Sequence, residues 1–332
     1  MLPVVTATAA CRSATAPRTD SEFRTVKPRE RDYPVKVSDF LVGVGFAVLA
    51  AVGLAVQSLA VRLGTRTHSI SSVIGVMFAV NLLVLLPVAG ISAYPGYNIT
   101  PVSLGAFAVS GILGSLLARY CYFVGIARLG ASRTEPLKAL LPLFAVGAAV
   151  VVLDEQVTVT LLAGVVLLIA GGVAVTLESR DSPAAPTGRQ LWVSLAFPLT
   201  AALLLGIDPI FTKLGFAEGT SALVGVTIRV AAAAAGFGLY LLWQAVRGTR
   251  QDALSVNRWL IVASVANTVY LLAYFAALAR TPVSVVTPVL GTSTLFVVGG
   301  AAMFLQDDEH VTARLIGATV LVVAGVVFVV QG

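Results

Sequence analysis

Apolar residues run along this chain in blocks, separated by short polar breaks and with no two-residue alternation inside them. The blocks fall at about 39–61, 70–92, 103–127, 131–152 and 158–177, and again at about 191–213, 220–246, 257–280, 283–305 and 311–330. About 20 apolar residues cross the hydrocarbon core as a helix, and lipid offers the backbone of an open strand no hydrogen-bond partner. Each block is therefore predicted to be a transmembrane helix, ten in all. The segments between them suggest a disordered basic tail at 1–38, one five-helix unit at 39–178, a Pro- and Ser-containing linker at 179–190 and a second unit at 191–332.

The second unit repeats the first. Tyr122-Phe123, Ala127-Arg128, Ser132, Pro136, Leu143-Phe144 and Gly147 return 152 residues later as Tyr274-Phe275, Ala279-Arg280, Ser284, Pro288, Leu295-Phe296 and Gly299. Glu155, Leu161, Val166-Leu167 and Ala170-Gly171 return 154 residues later as Glu309, Leu315, Val320-Leu321 and Ala324-Gly325. Five crossings per copy turn the second copy upside down in the bilayer, an arrangement shared by many alternating-access transporters. The helices also carry small residues, among them Gly45, Gly111, Gly114, Gly164, Gly171, Gly236, Gly238 and Gly299. These are expected to let backbones approach closely.

Composition excludes an ordinary soluble domain. The chain is 58% hydrophobic and 11% charged, where soluble domains carry about 25% charge. Half of the net charge of +6 comes from the first 36 residues, which hold seven basic and four acidic side chains; a basic tail beside a membrane helix fits anionic lipid or a topology signal better than nucleic acid. Its first 19 residues lack acids, a bias shared with transit peptides. Two cysteines, Cys11 and Cys121, are too few for a disulfide framework.

The order Tyr122 to Pro136, a helix ending at Leu153-Asp-Glu155 and a closing apolar helix from Leu161 to Val175 is followed by its echo, Tyr274 to Pro288, Glu309 and Leu315 to Val329. Together they resemble tandem EamA-type domains of the drug/metabolite transporter superfamily. The resemblance covers about 40 to 330. It implies an all-α polytopic bundle of two inverted five-helix repeats around a central cavity, no ATP-driven domain and cytoplasmic termini, in keeping with a multi-pass protein of the cell membrane. Charge counts disagree about orientation. The tail argues for cytoplasmic termini, whereas Arg62, Arg66, Arg128, Arg133, Arg180, Arg189, Arg247, Arg250 and Arg258 all fall on the opposite face. Glu135 and Lys138 have no charged counterpart in the second copy, which has Thr287 and Leu290 there.

Ionisable groups within a span cost roughly 2.5–3.5 kcal/mol at its centre on insertion scales, so each needs a reason. Arg119, Lys138, Asp208 and Arg229 are such groups. Glu135 and Lys138, three apart, share a helical face, which Pro142 should continue. Arg119 and Tyr122 share another, and Asn267, Tyr270 and Tyr274 form a polar stripe. Tyr122 and Tyr274 are repeat equivalents, as are Gln57 and Asp208. These ten residues are the candidate cavity lining: Gln57, Arg119, Tyr122, Glu135, Lys138, Asp208, Arg229, Asn267, Tyr270 and Tyr274. The competing reading makes the charges structural ion pairs, Glu135 with Lys138 and Asp208 with Arg229. Arg62 and Lys213 close their helices and are expected to snorkel.

The pattern suits a secondary transporter for a small metabolite, amino-acid-like or anionic, with a proton as coupling partner if Glu135 or Asp208 cycles. A sugar-phosphate or nucleotide-sugar exchanger of the same fold is the alternative. The sequence leaves a homodimer open. An integral membrane enzyme on lipid or prenyl substrates would have to use Asp307-Asp308-Glu309, and no second acidic cluster, paired metal-binding histidines or phosphate loop accompanies it. No cofactor motif is present.

Overall fold

Helix α1, Val37–Gly64, comes first among the described helices in a computed structural model of the chain. The structure describes residues 37–144, 158–181, 188–247, 256–278, 280, 286, 289–306 and 311–331. The tail at 1–36, Asp154, Glu155, the linker at 182–187, Pro288 and Asp307-Asp308-Glu309 lie outside these residues, as do the side chains of Pro209 and Lys213.

The first repeat continues with α2, Ile70–Ser92, and α3, Pro101–Leu129. It ends with α4, Ala131–Lys138, and α5, Val159–Asp181. The second repeat comprises α6, Arg189–Ala217, α7, Ala222–Val246, and α8, Arg258–Leu278. It closes with α9, Ser293–Phe304, and α10, Ala313–Gln331. No strand occurs among the described residues. Seven of the helices are long and apolar enough to cross a membrane, and the segments Val289–Phe304 and Ala313–Val329 are shorter apolar helices.

Local chemistry sets the helix ends. Ser69 caps α2 by accepting from the Ser72 amide. Thr100 and Ser103 form a reciprocal capping box at α3, with Pro101 at its first turn, where a proline's missing N–H costs nothing. A single residue, Gly130, joins α3 to α4 with φ 92° and ψ 162°. That backbone region is essentially open to glycine alone.

The structure changes the expectation for the fourth span. In place of one helix from 131, α4 ends at Lys138, a turn follows at Ala139 and Leu140, and the helix resumes at 141. Pro142 cannot hydrogen-bond back into the preceding turn and its ring crowds that turn, so it does not continue the α4 face as expected. Within α3, the segment Gly111–Leu117 is π-helical.

The repeats are antiparallel. Helices α5 and α10 are repeat equivalents and pack along their length. A Cβ on Gly164 would meet Val329, one on Gly171 would meet Val322, and one on Gly325 would meet Leu168. The partner number falls as the residue number rises, so the two helices run in opposite directions. Gly171 and Gly325 are themselves equivalents, as are Leu168 and Val322, so the contact is two-fold symmetric. Helix α1 packs on α8 and, by the same symmetry, α6 packs on α3. Close approach is not general, however: Gly45, Gly238 and Gly299 face open space.

Polarity is distributed as lipid requires. Large apolar side chains such as Leu41, Leu83, Ile91, Val159 and Leu239 point outwards, whereas Gln57, Asn81, Glu135, Asp208 and Asn267 are buried. Buried polar groups at such depth must find one another.

Candidate functional site

All ten candidate residues line one cavity of about 400 Å³ between the repeats. Three hydrogen-bonded clusters divide its wall.

The first lies on α1, α3 and α4. Tyr122 donates to Glu135 Oε2 at 2.7 Å, Lys138 Nζ donates to Glu135 Oε1 at 2.8 Å, and the Tyr122 and Ser58 hydroxyls are hydrogen-bonded to each other. The Lys138 ammonium also lies over the Tyr122 ring, 4.2 Å from its centre. Glu135 is fully buried. Its two acceptor oxygens each have a donor, the condition for keeping a carboxylate charged away from water.

The second lies on α3, α6 and α7. Arg229 Nη1 pairs with Asp208 Oδ2 at 2.9 Å, and its Nε donates to the Ser115 hydroxyl at 2.8 Å. Ser110 donates to Asp208 Oδ1 at 2.6 Å. The π-helical stretch of α3 makes room for this pair. A Cβ on Gly114 would stand 2.5 Å from Arg229 Nη2 and 2.7 Å from Asp208 Oδ1, and one on Gly111 would stand 2.3 Å from the Arg229 carbonyl oxygen.

The third is built of amides on α1, α2 and α8. Asn267 Oδ1 accepts from Asn81 Nδ2 at 2.8 Å and from Arg119 Nη1 at 2.9 Å. Asn267 Nδ2 donates to Gln57 Oε1 at 2.8 Å, and Thr268 donates to Asn81 Oδ1 at 2.8 Å. Arg119 also touches Met77 and lies 6.0 Å from the Phe78 ring centre. Tyr270 and Tyr274 stack at 6.0 Å beside this cluster.

Both expected ion pairs therefore exist, and both face the cavity. The remaining cation, Arg119, has neutral partners only among the described residues. Three cations against two carboxylates leave the lining with a formal surplus of one positive charge. Leu54, Leu205, Val226, Leu271 and Phe275 add an apolar part to the wall. The repeat symmetry relates Gln57 to Asp208 and, at the 152-residue offset, Asn267 to Ser115. Equivalent places thus hold a neutral amide pair in one half and Asp208 with Ser115 in the other, where Arg229 bonds to both.

Two loop arginines differ from expectation. Arg62 does not snorkel; its Nη1 donates to the carbonyls of Ile126 and Ala127 at 3.2 and 2.9 Å, at the end of α3. Arg133 is buried and pairs with Glu178 through Nε at 3.0 Å and Nη2 at 3.2 Å. Thr312 adds a 3.3 Å bond to the same carboxylate, tying α4 and α5 to the entry of α10. The residues missed from sequence are Ser58, Asn81, Ser110, Ser115 and Thr268. Asn81, a lone amide in the apolar run of α2, carried a legible signal; the hydroxyls did not.

An all-helical membrane bundle of two antiparallel repeats, closed around a charged and partly apolar cavity, is the architecture of a permease. The model of the EamA-like transporter family matches residues 41–177 and 190–331, and the chain belongs to that family. No curated protein matches the sequence. A solved structure described only as the crystal structure of a protein is 15% identical, with a TM-score of 0.57 over 88% of this chain and 96% of that one. At that identity the likeness concerns the fold alone.

Proposed function

We propose that this permease is a secondary transporter that carries a small amphipathic metabolite with one carboxylate, amino acids included, by alternating access around the central cavity. The observation that supports this most is Arg119, a cavity cation without an acidic partner among the described residues. A substrate carboxylate would supply the missing counter-ion, and Tyr270, Tyr274, Leu271 and Phe275 would receive the apolar part. A surplus of a single positive charge suits a monocarboxylate better than a doubly charged sugar phosphate or a nucleotide sugar. The interrupted span after α4 fits the same reading, because broken helices surround the substrate sites of many such carriers. The cell membrane with cytoplasmic termini is the favoured placement. The engagement of Arg62 and Arg133 within the bundle takes both out of the loop count that opposed it.

Reconstitution in proteoliposomes tests the assignment. Counterflow should be seen with labelled amino acids or arylalkanoates and not with labelled sugar phosphates. Arg119→Gln should lower uptake at limiting substrate about tenfold or more, the loss expected for one charge-assisted hydrogen bond. Uptake of a phosphorylated sugar in preference to every carboxylate, or unchanged carboxylate uptake by Arg119→Gln, would overturn it.

A further inference from the structure

One chain of contacts crosses the cavity wall from Ser58 on α1 through Tyr122 on α3 to Glu135 and Lys138 on α4. The two carboxylates of the cavity are held differently. Asp208 is paired with a guanidinium on another helix and takes a further bond from Ser110. Glu135 is paired with a primary ammonium on its own short helix, immediately before the turn at Ala139 and Leu140. Of the two paired cations that line the cavity, Lys138 is thus the one whose helix ends beside it.

The surroundings isolate this pair. From α3, Tyr122 meets it directly and Arg119 sits one turn earlier; from α1 come Ser58 and Arg62, the latter held by the α3 carbonyls. On α5, Glu178 is held by Arg133 of α4, and on α6, Asp208 is held by Arg229. On α9, Ser293 and Thr294 line the cavity, and Arg314 of α10 is exposed. Among the described residues, Lys138 is therefore the cation paired with Glu135.

We infer that Glu135 is the proton-carrying residue of the transport cycle, and that its protonation hands Lys138 over to the substrate carboxylate. The inference rests on the carboxylate reading above. The proton adds to Oε1, the oxygen that Lys138 occupies, while Tyr122 keeps donating to Oε2. Lys138, without its counter-ion, joins Arg119 as a second free cation, and the substrate anion binds to the two. One proton and one negative charge enter together, so the formal charge of the lining is the same empty and loaded. On the far side the anion leaves, Lys138 returns to Glu135, and the proton passes to water there. A monoanion and a proton thus cross as an electrically neutral pair.

The test uses the full chain in lipid nanodiscs, with phenylpropionate as the probe anion. Infrared spectra recorded from alkaline to acid pH should show a protonated-carboxyl band in the wild type that is missing in Glu135→Gln, a nearly isosteric change that preserves an acceptor for Tyr122. Probe binding to the wild type should take up one proton per anion, with affinity falling about tenfold per pH unit above the titration of Glu135. Glu135→Gln should bind the probe with no proton uptake and no pH dependence. Failure of the probe to bind overturns the carboxylate reading, whereas the infrared band still decides the role of Glu135. A band unchanged in Glu135→Gln, binding without proton uptake, or proton uptake lost in Asp208→Asn and kept in Glu135→Gln overturns the inference itself.

Discussion

Gly114 carries the arrangement of the charged wall at the scale of a single residue. Its missing side chain leaves the space that the Asp208–Arg229 pair fills. Gly114→Ala should force the pair apart or push α3 outwards, at about 1–3 kcal/mol. Thermal unfolding in detergent should show the loss, and Asp208→Asn should add little to it, because both changes disturb one contact. The charged candidates were legible from sequence for a thermodynamic reason. An ionisable group in an apolar run is so costly that it points to a shared polar interior, and Arg119, Glu135, Lys138, Asp208 and Arg229 all meet there. Ser58, Ser110 and Ser115 were not legible. A hydroxyl in a helix can satisfy itself on the carbonyl four residues earlier, as Ser264 does on Leu260, so its presence in a span signals nothing about where it points.

At the scale of elements, the joint between α3 and α4 fixes where Glu135 and Lys138 sit. Gly130 turns the chain in one residue through a backbone conformation closed to other side chains. Gly130→Ala should therefore cost on the order of 1–3 kcal/mol, seen as a lower unfolding temperature of the purified protein. Helix positions could be read from hydrophobic runs because span length is imposed by the bilayer. The interruption at Ala139 and Leu140 and the π-helical turn at Gly111–Leu117 could not. The first comes from Pro142, which an apolar run does not reveal; the second depends on what packs alongside, Arg229 against Gly111, and a one-dimensional pattern does not contain that neighbour.

For the whole molecule, the antiparallel relation of the repeats follows from an odd number of crossings, and the α5–α10 contact gives it a direct test. In a background without native cysteines, Leu168→Cys with Gly325→Cys should cross-link under mild oxidation, because a Cβ at 325 would stand 2.8 Å from the Leu168 nitrogen. The repeat equivalents Gly164→Cys and Ala318→Cys should stay unlinked, since position 164 faces Val329 and Gly325 instead. Mass spectrometry of digests distinguishes the two outcomes. Topology was readable at this scale because the duplication survives as matched residues. Orientation was harder, because Arg62 and Arg133 look like loop charges in the sequence and are engaged within the bundle in space.

The unequal shoulders of the cavity, amides at Gln57 and Asn267 facing a salt bridge at Asp208 and Arg229, have a kinetic consequence. A carrier with two identical halves would rest equally often open to either side of the bilayer. In the proposed cycle the two resting postures would break different bonds and so differ in energy. Influx and efflux measured on the same vesicles should then show different half-saturation concentrations and different maximal velocities. Without a driving gradient the quotient of the two must nevertheless agree in both directions, since a passive cycle cannot pump.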